Sequence, residues 1–407
     1  AASDVYKRQL LSLVLQHACY LLKGSPMHNA PFVFGRPVEG DAFTDRVAET
    51  ARLKANFEYG TNTILISPRR MGKTSLVQKV SRFSASDRIR IASFDAFPCR
   101  NEAEFLSAYA TAVVKATADR WEEWTQTVAH FLSRLGSKIT FGTDPMTDFG
   151  IEFEIERLEQ NAEEILALPQ RIAEAKHMRI VVCIDEFQQI GSFEHSLSFQ
   201  KRLRGVWQHL SGVSFCLCGS KKHMMNTLFQ RQDYPFYRFG DAMYLSCIPK
   251  QDWIPFVRQR FAIGGKGISE DLAGQLVESV NGCSSYVQQL AWILWSSVNR
   301  EATLEDLNIA IERLIDSCQP SFVVQIEGLS AKQVGFLRAI CDGVEEGFTT
   351  KAVLDKYRLG VSSNVVRVRA ALLERDLIAQ EPDGRLVIED PVFKRWLIER
   401  FRIIPRS

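Results

Sequence analysis

Residues 61–76 read TNTILISPRRMGKTSL. A short apolar run, TILIS (63–67), leads straight into Arg69, Arg70 and Lys73, and the helical pattern SLVQKVSRF (75–83) follows. Few folds tolerate a buried strand that delivers three cations into one tight loop. Like charges this close repel, and the arrangement is relieved when an anion lies among them. The order strand, loop, helix also aims loop amides and a helix N-terminus at one spot, which favours negative charge there.

Ser67-Pro68-Arg69-Arg70-Met71-Gly72-Lys73-Thr74 fits G-x-x-x-x-G-K-[ST] with one departure, Ser67 in place of the first glycine. In that pattern Gly72 lets the backbone approach closely, Lys73 reaches the β- and γ-phosphates, and Thr74 offers its hydroxyl to Mg²⁺. Pro68 supplies no N–H, so the cradle rests on Arg69, Arg70, Met71, Gly72, Lys73, Thr74 and Ser75. Arg69 and Arg70 either touch phosphate or stand in solvent, with at least one expected in solvent. The bland alternative is a strand–loop–helix that contains GKT by chance.

A second apolar run, MRIVVCIDEF (178–187), ends in Asp185-Glu186. Asp185 at the end of a buried strand suits Mg²⁺, and Glu186 suits the base for an attacking water. An incidental surface pair of acids is the competing reading. A third run, VSFCLCGS (213–220), is expected between the other two strands and would bring Ser220 to the water or the γ-phosphate; a plain turn is equally open. Arg238 in YPFYRFG is a candidate γ-phosphate sensor or a packing arginine.

Non-alternating strands separated by helices, with IRIASFDAF (89–97) and AMYLSCI (242–248) completing the set, predict an α/β fold with a parallel sheet covered on both faces. A long helical region is expected from 101 to 121, and GSKITFGTDPMTDFGIEFEIE (136–156) reads as an insertion loop or edge hairpin. Four helical patterns after residue 250 predict an all-α lid. Helix, helix, helix and two short strands around Pro382-Asp383-Gly384 predict a winged helix-turn-helix. The expected units are an extension at 1–26 that is non-native or disordered, the alternative being a loosely attached helix, then a sheet domain at 27–248, a lid at 249–318 and a winged helix at 319–404.

Charge excludes less than it might. Lys and Arg total 50 against 48 for Asp and Glu, so no overall basic excess argues for nucleic acid. The nine cysteines form no CxxC pair, and a reducing cytoplasm is the simplest reading. The longest apolar stretch, LLSLVLQHACYLL (10–22), is too short to span a bilayer, so no membrane partner is expected.

FTDRVAETARL (43–53), SPRRMGKTSL, VVCIDEFQQI, FCLCGSKKHMM, PFYRFG, the four lid helices and the DPVFKRWL ending together resemble the archaeal-type ATPases, a branch of the STAND class of AAA+-related P-loop NTPases. The resemblance implies a sheet of order 5-1-4-3-2, a helical lid, a winged helix and a switch controlled by ATP and Mg²⁺. It nominates Arg46 for contact with adenine. It also implies phosphate, metal and water-activating roles for Lys73, Thr74, Asp185 and Glu186. Two departures stand out: Ser67, and a lid motif NGCSSYVQQL without the usual proline, so that Ser284-Ser285-Tyr286 would close on nucleotide differently. In the winged helix Arg367, Arg369 and Arg375 are offset by Glu374 and Asp376, a weak footprint for DNA. Regulatory packing on the sheet domain is preferred to DNA binding, with an unidentified protein as partner. The function expected is slow ATP hydrolysis coupled to a switch. The alternatives are a nucleotide-regulated DNA-binding protein and a non-hydrolysing ATP-binding scaffold.

Overall fold

The computed structural model describes residues 30–117, 137–141, 149–153, 155–381 and 383–403; the 1–26 extension, the end of the helix expected to reach 121, and Pro382 lie outside them. The described strands are β1 (Thr63–Ile66), β2 (Ile89–Asp95), β3 (Ser137–Phe141), β4 (Phe149–Phe153), β5 (Arg179–Asp185), β6 (Val213–Gly219), β7 (Asp241–Tyr244), β8 (Ile378–Gln380) and β9 (Leu386–Ile388). Five of them form one parallel sheet in the order β2-β5-β6-β1-β7. Counted over the sheet alone, this is the expected 5-1-4-3-2. The expectation did not number β3 and β4, which pair only with each other as an antiparallel hairpin. The last sheet strand is also shorter than the apolar run that foretold it.

The sheet's two faces follow from period-2 alternation. Ile64, Ile66, Ile180, Val182, Ile184, Phe215 and Leu217 point to one face. There they meet α3 (Glu102–Thr117), α4 (Ile155–Leu166), α5 (Leu168–Lys176), α6 (Ser196–Trp207) and α7 (Lys222–Gln230), whose inward residues belong to the same core. Leu65, Val181, Cys183, Cys216 and Cys218 point to the other face, against α1 (Val47–Tyr59) and α2 (Lys73–Ser84). Three of the cysteines are thus small core residues packed against Leu76 and Val80. Trp207 anchors the first face: its ring stacks on Phe215 at 4.1 Å and on Tyr109 at 6.1 Å.

The lid consists of α8 (Lys250–Ile263), α9 (Glu270–Ser279), α10 (Ser284–Ser297) and α11 (Leu304–Glu327). α11 starts at a capping box, where Thr303 and Asp306 satisfy each other's backbone amides. It then runs without a break through Pro320, so the expected boundary after residue 318 falls inside one helix. The winged helix follows as α12 (Ala331–Cys341), α13 (Lys351–Lys356), α14 (Ser362–Glu374), the β8–β9 wing and α15 (Pro391–Ile403). Ser330 caps α12 in a capping box with Gln333. Lid and winged helix share a single apolar core, in which Phe322 of α11 meets Phe393 and Trp396 of α15. Among the described residues no helix is long and apolar enough to cross a membrane.

Trp207→Ala should cost about 3–5 kcal/mol, because the cavity it leaves is walled by packed rings that cannot collapse into it. Urea unfolding of the full chain followed by circular dichroism would read this as a lower midpoint.

Candidate functional site

α2 begins at Lys73, directly after Gly72 with φ +86°. That left-handed turn strains any L side chain and leaves glycine free. It directs the helix N-terminus and the Lys73 side chain toward the C-terminal ends of β5 and β6. Lys73 is 7% exposed. Its Nζ lies 2.6 Å from Asp185 Oδ1 and donates to Glu186 Oε1 at 3.0 Å. Burial works against the ammonium charge, but the two carboxylates outweigh it and hold the group above its ordinary range. Thr74 Oγ1 donates to Asp185 Oδ2 at 3.1 Å.

Glu186 has φ +49°, an uncommon conformation for a residue with a Cβ. The surroundings keep it there. Ser220 Oγ donates to Glu186 Oε2 at 2.7 Å, and Gln188 Nε2 donates to the same oxygen. Burial pushes the Glu186 carboxyl up, but Lys73, Ser220 and Gln188 together bring it below its ordinary range, so it stays ionised. Ser220 therefore lies beside Glu186 and supports its carboxylate. Gln188 was not foreseen. It is buried and follows Glu186 by two residues in a 3₁₀ turn that no hydrophobic periodicity announces. Gly219 is required beside it: an added Cβ would lie 2.5 Å from Gln188 Oε1 and 2.3 Å from Met225 Sδ.

A cavity of about 590 Å³ opens beside the loop, lined on one side by residues 69–75 and on the other by Val33, Phe34, Val38, Ile248 and Trp253. The 33–42 segment is strapped over it by one lid residue. The Gln288 side chain accepts from Val33 N at 3.2 Å and donates to Ala42 O at 3.0 Å. The only sequence sign of this strap was the mixture of apolar, Gly and Pro residues in NAPFVFGRPVEGD.

Four expected site residues make contacts within the protein, and three of them, Arg46, Arg70 and Ser75, also line the cavity. Arg46 is buried, and its guanidinium donates to Ser246 O at 2.7 Å, Met71 O at 3.1 Å and Glu49 Oε1 at 2.9 Å. It therefore fastens the loop to the chain leaving β7. Ser75 Oγ accepts from Val38 N at 2.9 Å and so holds the strap. Arg70 turns out of the loop to Tyr286 and Asp390. Arg238 lies at the wrong end of the sheet. It precedes β7, whose first residue Asp241 pairs with Thr63 at the start of β1, whereas the loop follows the end of β1. Its guanidinium sits 5.2 Å from the Tyr237 ring centroid. Arg69, by contrast, stays exposed on the cavity wall.

Residues 320–399 match a family model described as "Probable winged helix domain". No curated protein matches the chain by sequence. Among solved structures, the chain is similar to the Walker-type ATPase PABY2304 of Pyrococcus abyssi, with 18% identity over 89% of this chain and 98% of that one, TM-score 0.64. It is also similar to the ORC2 protein of Aeropyrum pernix, solved as ADPNP-ADP complexes, with 13% identity over 90% and 96% of the two chains, TM-score 0.54. The sheet, the loop and these likenesses make the fold an α/β P-loop NTPase fold, followed by a helical region and a winged helix.

Proposed function

We propose that the chain is a magnesium-dependent ATPase that works as a nucleotide-controlled switch of the STAND type, in the cytoplasm. The observation that carries this reading is Lys73, a buried cation at a helix N-terminus, held by the two carboxylates that end β5. A lysine so placed is poised to exchange carboxylate for phosphate. In the proposed division, residues 27–248 carry the site, 249–318 form the lid and 319–404 the winged helix. Amides from Arg69 to Ser75 cradle the phosphates, Lys73 pairs with the β- and γ-oxygens, and the slot of Val33, Phe34, Ile248 and Trp253 takes the adenine. Thr74 and Asp185 share a hydrogen bond and present hard oxygen donors, a set that suits Mg²⁺. When bound there, the ion would offset charge on the β- and γ-phosphates.

Triphosphate drawing Lys73 to itself frees one oxygen of Glu186, while Ser220 and Gln188 keep the carboxylate aimed by the other. Glu186 then takes a proton from a water whose oxygen attacks the γ-phosphorus. The β–γ bridging oxygen leaves with the bond's electron pair as part of ADP. Slow turnover is part of this reading.

The winged helix supports regulation over DNA reading. Arg369 donates to Gln380 Oε1 at 2.8 Å and Arg375 to Gly328 O at 2.7 Å, so two of the three arginines expected to face a duplex are committed within the fold. The alternative, duplex binding through Arg367, would require salt-sensitive affinity that charge reversal at that residue removes. An unidentified protein partner remains part of the proposal, and capture with ATP-loaded against ADP-loaded protein would identify it.

Two outcomes are expected. Lys73→Ala should abolish MgATP binding by calorimetry, while Glu186→Gln should bind it and hydrolyse it about 10²–10⁴-fold more slowly. Binding without turnover in the wild type would favour the scaffold, and no heat at all would end the nucleotide reading. Gly219→Ala should displace Gln188 and lower stability by about 1–3 kcal/mol, with turnover falling further than nucleotide affinity; urea melts and steady-state rates check both.

A further inference from the structure

Arg70 belongs to the phosphate loop, yet its side chain leaves it. The guanidinium Nη1 donates both to Tyr286 OH on α10 and to Asp390 Oδ2 ahead of α15. Its carbon lies 4.7 Å from the Tyr286 ring centroid, over the ring face. Tyr286 OH donates to the same Asp390 Oδ2 at 2.7 Å. Burial, then Asp390, push the phenol well above its ordinary range, so it remains a donor. The other Asp390 oxygen accepts from Val392 N at 2.9 Å and Phe393 N at 3.0 Å, capping α15, with Pro391 at its first position. The Arg70 backbone is held as well: φ is +68°, and its carbonyl accepts from Ser285 N at 3.0 Å.

We infer that Arg70, Tyr286 and Asp390 form a latch through which docking of the winged helix sets the shape of the phosphate loop. The loop's left-handed residue is fixed by its carbonyl to the lid and by its side chain to the winged helix. Both contacts sit at the margin of the cavity of about 590 Å³, which Arg70 and Ser285 help to line. The inference deepens the switch reading of the same site and takes its nucleotide dependence from that reading.

The facing walls supply the other half of the device. Beyond the latch lies a cavity of about 930 Å³ between the sheet domain and the winged helix. Arg69, Lys222 and His223 line one side; on the other, Asp376, Glu381 and Glu389 outnumber Arg369 and Arg375. Among the described residues the Arg70–Asp390 pair of the latch is the ion pair across these walls, and the remaining charges attract only at long range. A triphosphate beside Arg69 adds negative charge to the basic wall. The winged-helix acids then lose much of what draws them in, and the latch carries the closed state alone.

Hydrogen–deuterium exchange on the full chain without nucleotide tests the latch. Asp390→Asn and Tyr286→Phe should each speed exchange in peptides covering 67–73 and at Ser285 by at least about fivefold. The double variant should add little to either single one, because both break one connected unit. If Asp390→Asn also frays α15, Tyr286→Phe decides, since it removes one hydroxyl and leaves the cap untouched. Unchanged loop exchange in Tyr286→Phe would overturn the latch. Because the readout is taken without ligand, it stands apart from calorimetry on the wild type, where an absence of MgATP binding would overturn the ATPase reading instead.

Discussion

The contact on which the rest of the molecule depends is the one between the Lys73 ammonium and the carboxylates of Asp185 and Glu186. Three charges gathered with so little exposure would be costly unless paired, and breaking such a group by removing one partner typically costs about 3–5 kcal/mol. The sheet order makes the pairing possible. β6 lies between β1 and β5, so Lys73 must reach across the end of an intervening strand. That strand ends in Gly219 and Ser220, which are small enough to be crossed, and Gly219 O takes the Ser67 amide at 3.2 Å as the loop leaves β1. The small polar ending of VSFCLCGS lets Met225 and Gln188 pack against Gly219 and sets Ser220 beside Glu186.

Around that contact the chain is arranged as successive clamps on one loop. Arg46 holds Met71 from behind, Ser75 holds the strap, Gln288 ties both ends of the strap to the lid, and Arg70 ties the loop to the lid and the winged helix. Each clamp joins a residue next to the phosphate pocket to a different part of the fold. In the proposed switch, a change in what fills the pocket is passed along these clamps to the lid and the winged helix. The unbroken α11, which enters the core of both, gives them a common lever.

What could be read from sequence divides along the distance over which residues act. The strands, the loop and the carboxylate pair were legible because each depends on neighbours in the chain: β-branched runs, Gly-Lys-Thr before a helix, and acids at the end of an apolar strand. The clamps were not. Arg70 meets Tyr286 across 216 residues and Asp390 across 320, and nothing local tells an arginine to turn outward. Arg46 likewise looked like a ligand contact because its segment matched one by resemblance, while its partners lie on two distant stretches of backbone. Arg238 is a different case. In a parallel sheet a residue before a strand sits at the edge opposite a residue after one, so the topology already placed it away from the loop. Gln188 falls between these cases: it is local to Glu186, but its role depends on the tight packing of Gly219 and Met225.

A crystal structure with magnesium and a non-hydrolysable ATP analogue tests the central contact most directly. The account predicts Lys73 Nζ within hydrogen-bonding distance of the β- and γ-phosphate oxygens, with Glu186 still held by Ser220 and Gln188. Finding the analogue elsewhere on the molecule, with Lys73 still joined to Glu186, would contradict it.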